Sequence, residues 1–472
     1  MTSSPTTAPD RTALVTGASG YIGGHVVPRL LDEGWSVRVL TRRHGSLADR
    51  PWVGRVEVVE GDVGSVDDMR RALSGVDAAW YLVHSMDDKP DFAQRDRAAA
   101  THFAQAAKDA GVSRIVYLGG LHPDDEELSP HLASRVEVGR IFLDSGVPTA
   151  VLQAAVVLGD GSASFDMLRY LTTRLPAMVA PKWLDNKIQP IAIDDVVTLL
   201  VGAGSLPADV NRTFDIGAPE VLTYREMIGR FADATGRRRP VVVTVPVLTP
   251  RLASHWVGLV TPISAGLAKP LVGSLVHEVV AKESDLLDFV EVPGGFTDFD
   301  TAVRSAMQAA RPDTAMRNLA LTSAATVVCV VAGSIATKPD SQWYRSLDLP
   351  DWQPPTLAFP VVWTALYADI AGGSTAVLNA YDKAGDREGR GRYLKAFGTN
   401  LALNAAWSVL FWRSRRPWVA AAQAALLTAS SADLARRAGL VSKGAGIALS
   451  PYAVWCGFAT ALSTAIARRN PQ

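Results

Sequence analysis

Five apolar stretches, residues 319–336, 357–380, 393–412, 417–434 and 446–466, crowd the last third of this chain. A bilayer core about 30 Å thick is crossed by roughly 20 helical residues, and each stretch is at or near that length. The last carries no Asp, Glu, Lys or Arg, and the second carries only Asp369. Five such runs with short connections predict an all-α five-helix transmembrane bundle. Seven of the 12 tryptophans lie between Trp343 and Trp455, in keeping with aromatic anchoring at the ends of membrane helices. Asn400, Asn404 and Asp369 fall at depth in these runs, so each must find a partner or line a cavity, because an unsatisfied polar group is costly in hydrocarbon.

The first third has the opposite character. Residues 12–16 form a short β-branched apolar run that leads directly into Gly17-Ala18-Ser19-Gly20-Tyr21-Ile22-Gly23-Gly24 and then a helical pattern through Val26, Val27, Leu30 and Leu31. In a strand, glycine turn and helix of this kind, Gly17 permits the tight turn and Gly20 lets a pyrophosphate approach the backbone. Gly23 brings helix and strand together, and the helix N-terminus offers free N–H groups to the phosphates. A second strand at 36–41 completes a βαβ unit, and it ends in Thr41-Arg42-Arg43 where an NAD-preferring fold usually carries an acid. Two arginines there favour NADP(H) over NAD(H). Further strands are expected at 56–60, 78–83, 114–118 and 149–153, with a helix near 92–110, which together imply a doubly wound parallel sheet.

These residues resemble an atypical short-chain dehydrogenase/reductase of the NmrA-like, NAD(P)H-binding kind, over roughly residues 11–310. The pieces carrying the resemblance are Tyr117-Leu118-Gly119-Gly120-Leu121, the run from Ser129 through His131 to Arg135, Gly161-Ser162-Ala163-Ser164-Phe165, and Gln189-Pro190-Ile191-Ala192-Ile193-Asp194-Asp195-Val196. The resemblance implies cofactor contacts from Gly17, Ser19, Gly20, Tyr21, Ile22 and Gly23. It places Asp62 and Val63 at the adenine, and Val83 and His84, followed by Ser85, along the cofactor. Catalytic members use a Tyr and a Lys four positions on, the lysine easing proton donation by the tyrosine. Here the corresponding positions are His131 and Arg135, and Gly119-Gly120 stands where a hydroxyl-bearing residue would help. His131, paired with Arg135, is therefore the candidate acid, and the usual proton-transfer pair is absent.

Composition limits the alternatives. With 47 basic against 47 acidic residues, the net charge of zero leaves no electrostatic footprint for nucleic acid. The two cysteines, Cys329 and Cys456, lie inside apolar runs and build neither a disulfide framework nor a zinc site. Residues 1–10 read as a disordered polar tail without a secretory signal. The expected organisation is a Rossmann domain over 11–211, a small substrate lobe and joint over 212–316, and the membrane bundle over 317–470. Within the lobe, 256–280 reads as packed helix, because its prolines and charges argue against a span.

Trp343-Tyr344, residues 350–355, Trp363-Thr364-Ala365-Leu366-Tyr367, Asn404-Ala405-Ala406-Trp407-Ser408 and Pro451-Tyr452-Ala453-Val454-Trp455 resemble the TspO/MBR family in order and spacing, over about residues 317–470. That resemblance implies five membrane helices that bind porphyrins and other flat hydrophobic ligands, sterols among them, a first loop folded over the pocket, and a homodimer. It points to Tyr344, Trp352, Trp363, Asn404, Trp407 and Trp455 as pocket residues. The chain departs from the family at Leu349 and Ser463, where a lysine and an asparagine often stand. With five spans and a cytosolic N-terminus, the Arg-rich loop 382–392 faces the cytosol, where NADP(H) is supplied. Three functions fit: a reductase delivering hydride to a lipophilic substrate, a nucleotide-binding sensor without turnover, and an assembly module for a membrane complex.

Overall fold

The computed structural model describes residues 11–83, 91–123, 128–245, 257, 261, 263, 271–273, 275–310 and 313–471. The tail at 1–10, His84 and Ser85, and most of the helix expected at 256–280 lie outside these residues. The chain divides into two compact units, Met1–Arg311 and Pro312–Gln472.

The first unit is built on seven parallel strands: β1 (Thr12–Thr16), β2 (Ser36–Thr41), β3 (Glu57–Glu60), β4 (Ala78–Tyr81), β5 (Arg114–Gly120), β6 (Thr149–Ala154) and, after further elements, β11 (Arg212–Ile216). Their order is β3-β2-β1-β4-β5-β6-β11, and every neighbouring pair is parallel. The reversal between β1 and β4 is the switch point at which doubly wound sheets bind nucleotides.

Alternation along β1 sorts the two faces. Ala13 and Val15 pack with Val26, Leu30 and Leu200, from α1 (Tyr21–Asp32) and α6 (Ile193–Ala203). Leu14 packs with Met69, Phe103 and Phe142, from α2 (Val66–Leu73), α3 (Phe92–Asp109) and α4 (Pro130–Leu143). Strands buried on both faces read as unbroken apolar runs, which is why they are recognisable in the sequence. Fully burying a side chain such as Phe103 or Phe142 contributes roughly 1.5–3 kcal/mol.

A smaller lobe gathers β7 (Val156–Leu158), α5 (Ala163–Arg174), β8 (Ala177–Pro181), β9 (Lys187–Ile188), β10 (Pro190–Ala192), β12 (Leu222–Thr223), α7 (Tyr224–Ala234), β13 (Val241–Val245) and α8 (Phe299–Ala309). It has its own core around Phe165, Ile188, Phe231 and Phe299. A capping box between Thr223 and Glu226 starts α7. Arg230 ties α7 to α8 through Asp300 and to Glu220.

The second unit is five long helices: α9 (Ala315–Ala336), α10 (Ala358–Ala384), α11 (Arg387–Ser414), α12 (Pro417–Val441) and α13 (Lys443–Arg469). Neighbours run α9, α10, α13, α12, α11 and back to α9, a closed ring. Three of them, α9, α10 and α13, are long and apolar enough to cross a membrane. The expected five helices are present, but by length and composition only three qualify as spans. Lys395, Asn400 and Asn404 dilute the apolar character of α11, and Gln423, Ser430, Ser431 and Asp433 that of α12.

Candidate functional sites

The loop from Gly17 to Gly23 follows β1 at the switch point. Gly17 has φ +74°, and a Cβ there would meet the Leu82 carbonyl oxygen at 2.5 Å; a Cβ on Gly23 would lie 2.4 Å from the Gly17 carbonyl oxygen. Both positions are thus closed to other residues by backbone atoms. Gly20 differs, since its Cβ direction has only the Gly17 oxygen, at 3.1 Å, and is otherwise open. Gly20 is also the N-cap of α1 and supplies no side-chain cap. The helix therefore presents uncapped N–H groups at Tyr21 and Ile22 beside open space, the arrangement an anionic pyrophosphate fills.

Ser19 is exposed, and its carbonyl accepts from Arg50 Nη2 at 2.7 Å. Arg50 was not foreseen. Its guanidinium lies over the first turn of α1, where a Cβ on Gly24 would meet Nη1 at 2.6 Å, so the fourth glycine of the motif makes room for an arginine seven residues beyond Arg43. A cation at a helix N-terminus is unfavourable unless an anion joins it. Arg42 and Arg43 are exposed beyond β2. The turn that carries them is braced by Thr41 Oγ1 against Ser46 Oγ at 2.9 Å and by the His44 N–H donating to Glu60 Oε1 at 2.6 Å.

Asp62 is exposed and accepts the Gly64 N–H at 2.8 Å, while Val63 and Val83 pack against the α2–α4 face of the sheet. Tyr21 stands edge-on to His25 with its hydroxyl buried and unpartnered. Burial, with Asp160, Asp194 and Asp166 nearby, pushes its phenol well above the ordinary range, so it stays protonated.

At the end of β5, Arg135 Nη2 donates to the Leu118 carbonyl at 2.8 Å, and the Tyr117 hydroxyl donates to the Arg135 carbonyl at 3.3 Å. Burial raises the Tyr117 phenol despite the nearby Arg135 guanidinium. Arg135 is therefore a fixed cation beneath the strand end. His131, one helical turn earlier, is stacked on Phe92 with centroids 4.2 Å apart and planes at 16°. The structure thus brings His131 and Arg135 to one end of α4, each already held by a neighbour.

In the bundle, three tryptophans stand one helical turn from three polar side chains: Trp363 and Tyr367 on α10, Trp407 and Asn404 on α11, Trp455 and Tyr452 on α13. Trp363 stacks on Tyr367 at 5.2 Å and meets Tyr452 edge-on, Trp407 stacks on Phe411 at 5.1 Å, and Trp455 packs on Phe458. Tyr344 lies on Trp412 at 4.8 Å, and the half-exposed Trp352 stands edge-on to Phe458. The indole N–H groups of Trp343, Trp407 and Trp455 are buried without an acceptor, although buried indoles usually find one.

Beneath them runs a string of polar contacts. Asn404 Oδ1 accepts from Tyr367 at 3.0 Å and from Cys329 Sγ at 3.5 Å, and its Nδ2 donates to Tyr452 at 3.1 Å. Tyr452 donates to Asn400 at 2.9 Å, and Asn400 donates to Ser430 and Ser431. All five helices contribute to this string. Asn404, foreseen as a pocket residue, has its amide engaged by three helices of the ring, and the tryptophans above it carry the unmatched donors.

Two family models match the chain: NAD(P)H-binding over residues 17–154 and TspO/MBR over 321–469. The first part is 32% identical over 232 residues to the (4-alkanoyl-5-oxo-2,5-dihydrofuran-3-yl)methyl phosphate reductase of Streptomyces griseus, covering 48% of this chain and 74% of that protein. It is 26% identical over 273 residues to the ceramide reductase of Caulobacter vibrioides, covering 54% and 81%. The last part is 33% identical over 141 residues to the tryptophan-rich protein TspO of Chlorobaculum tepidum, covering 30% and 87%.

Proposed function

Because the chain belongs to the NAD(P)H-binding family in its N-terminal part and to the TspO/MBR family in its last third, we propose that it is a membrane-anchored NADP(H)-dependent reductase acting on a lipophilic molecule. Its bundle, crossing the bilayer with all five helices, takes a flat, porphyrin-like ligand, and its nucleotide domain faces the cytosol. The observation that carries the nucleotide half is the Gly17–Gly23 loop, closed by backbone at both ends and open at Gly20 beside uncapped N–H groups. Arg42 and Arg43 beyond β2, with Arg50 over the first turn of α1, offer the cations that favour the additional phosphate of NADP(H).

The bound nicotinamide would supply hydride. The chain's own residues then have three tasks. The glycine loop and α1 hold the pyrophosphate, Arg135 keeps a positive charge at the β5 end against the oxygen that gains electrons, and His131 donates the proton that completes reduction. His131 suits that task because imidazole exchanges protons near neutrality. The names of the two reductase relatives, one acting on an alkanoyl furanone phosphate and one on ceramide, support an acyl-bearing substrate.

For the bundle, the supporting observation is the three buried indole N–H groups without acceptors. A planar ligand stacked on the rings and carrying carboxylates or carbonyls at its edge would satisfy them. The test is to titrate the purified, detergent-solubilised protein with NADPH, with and without protoporphyrin IX, following absorbance and fluorescence. NADPH consumption that requires a lipophilic carbonyl compound or the porphyrin supports the reductase. Saturable binding of NADPH without consumption under any of these additions refutes it. It would favour a nucleotide sensor instead, a reading supported by Arg135 being already hydrogen-bonded to Leu118 and by the missing Tyr and Lys pair.

A further inference from the structure

The outer surface of the small lobe carries an apolar ribbon next to a basic pocket. In that ribbon β8 and β13 pair in parallel, Ala177 with Val241 and Val179 with Val243. Successive side chains of a strand point to opposite faces, so these four residues share one face. The other face carries Met178, Ala180 and Val242, which pack into the lobe core. Sheets with one face on the core commonly turn polar residues outward. This one turns out Val179, Val241 and Val243, which are 51%, 61% and 53% exposed. Contiguous apolar surface of that kind marks a place of interaction.

A pocket of about 250 Å³ lies beside the start of β13. It is lined by Ala234, Thr235 and Arg237 at the end of α7 and by Arg304, Met307 and Gln308 of α8. An extended chain spans at most about 3.6 Å per residue, so Arg237 and Val241 lie within about 14 Å of each other. The acids of the two helices are engaged elsewhere. Asp233 pairs with Arg239 and Asp300 with Arg230, while Glu226 and Asp298 accept N–H groups at the helix starts. Arg304 Nη2 donates to the Thr301 hydroxyl at 3.0 Å, a neutral partner. Among the described residues, no acid forms an ion pair with Arg237, Arg238 or Arg304. Both helices end at the pocket, and each C-terminus presents about half a negative charge. Three arginines outweigh those two ends by about two positive charges, so the pocket attracts an anion.

We propose that this face of the lobe docks on the anionic surface of a lipid bilayer, with Arg237 and Arg304 taking a lipid phosphate in the pocket and Val179, Val241 and Val243 entering the interface. Basic side chains beside a short apolar surface are the combination that interfacial binding uses. Three valines are too few to hold a free domain on a membrane. This domain is not free, because α8 ends at Ala309 and α9 begins at Ala315, so a five-residue connection presents the bilayer at high effective concentration. The inference rests on the bundle lying in lipid. Docking would bring the proposed substrate lobe to the surface of the phase in which a lipophilic substrate dissolves.

The test uses the full chain carrying Val243→Cys in nanodiscs of phosphatidylcholine alone or in an equal mixture with phosphatidylglycerol. The rate of modification by an uncharged polyethylene-glycol maleimide is followed by peptide mass mapping, which separates position 243 from the buried Cys329 and Cys456. Modification at 243 should be about ten-fold slower in the mixture, the change that two arginines contribute at an anionic surface. Asp67→Cys, on the exposed side of α2, should react equally in both lipids. Adding Arg237→Glu with Arg304→Glu, or Arg237→Gln with Arg304→Gln, should return position 243 to its rate in phosphatidylcholine. Equal rates at 243 in the two lipids, a slowing that survives both arginine pairs, or the same slowing at 67 overturns the proposal. Inorganic phosphate supplies the soluble alternative: if it raises the melting temperature of the first unit through Arg237 and Arg304 while phosphatidylglycerol leaves position 243 unprotected, the pocket belongs to a dissolved anion and docking is refuted. Co-elution with the nanodisc and NADPH titration of the same samples show separately whether the bundle lies in lipid and whether the nucleotide site binds as proposed.

Discussion

Gly23, at the end of the phosphate loop, and Gly20, within it, make opposite predictions, and the contrast tests the nucleotide site more sharply than either alone. In Gly23→Ala the new Cβ would lie 2.4 Å from the Gly17 oxygen, 2.8 Å from the Gly17 carbon and 2.9 Å from the Ala18 Cα, all backbone. Restoring a contact of about 3.5 Å requires α1 and the loop to separate by on the order of 1 Å. Overpacking of this kind costs about 1–3 kcal/mol. At about 2–4 °C per kcal/mol for a domain of this size, the melting temperature should fall by about 2–12 °C. The same displacement moves the N–H groups of Tyr21 and Ile22 off the phosphate position, so affinity falls with stability.

Gly20→Ala meets a single oxygen at 3.1 Å, which small adjustments relieve. Its methyl group instead occupies the space assigned to the pyrophosphate. Stability should stay within about 1 kcal/mol, the range of ordinary substitutions away from the core, while NADPH affinity falls at least about ten-fold. Fluorescence titration with NADPH measures the affinity, and a thermal scan following the buried Trp35, Trp52 and Trp80 reports the fold of the first unit. Wild-type affinity in Gly20→Ala refutes the assignment of the loop. A thermal shift equal to that of Gly23→Ala would show that packing, and not phosphate approach, requires glycine there.

Arg50→Ala should weaken NADPH binding by about ten-fold or more, the value of one charge-assisted hydrogen bond, with a smaller loss for NADH; equal losses for both would place Arg50 at the pyrophosphate instead. Trp407→Phe and Trp455→Phe keep a ring and delete an unmatched N–H, so each should lower protoporphyrin affinity by about 0.5–1.5 kcal/mol without lowering thermal stability in its absence, as measured by quenching and melting. Asn404→Leu breaks contacts with Tyr367, Tyr452 and Cys329 at about 0.6 kcal/mol each, so the bundle should lose about 2 kcal/mol in reversible unfolding from micelles while NADPH binding is unchanged.

What the sequence disclosed and what it withheld follow from the range of the interactions involved. The sheet was readable because strands covered on both faces are apolar throughout, and the loop because Gly17 and Gly23 answer constraints set within a few residues of themselves. Arg50 was hidden because its contacts with Ser19 and Gly20 span about thirty residues and depend on how the chain after β2 folds back. His131 and Arg135 were found by position in a motif. Their state, one stacked on Phe92 and the other bonded to Leu118, needed the packing of α4 against α3 and β5.

The bundle shows the same division. Helix number comes from apolar runs, a one-dimensional signal, whereas the choice between a partner and a cavity for Asn404 depends on neighbours that other helices supply. A side chain at depth can be satisfied by a ligand or by another helix, and α9, α10 and α13 supply Cys329, Tyr367 and Tyr452 around its amide. The polar layer thereby closes on itself, leaving the tryptophan layer one turn away as the place where donors are still unmatched. Under the proposed function, that ordering would tie specificity in the bundle to the edge chemistry of the ligand and not to the conspicuous asparagines, and it is why replacing an indole N–H should change binding while replacing Asn404 should change stability.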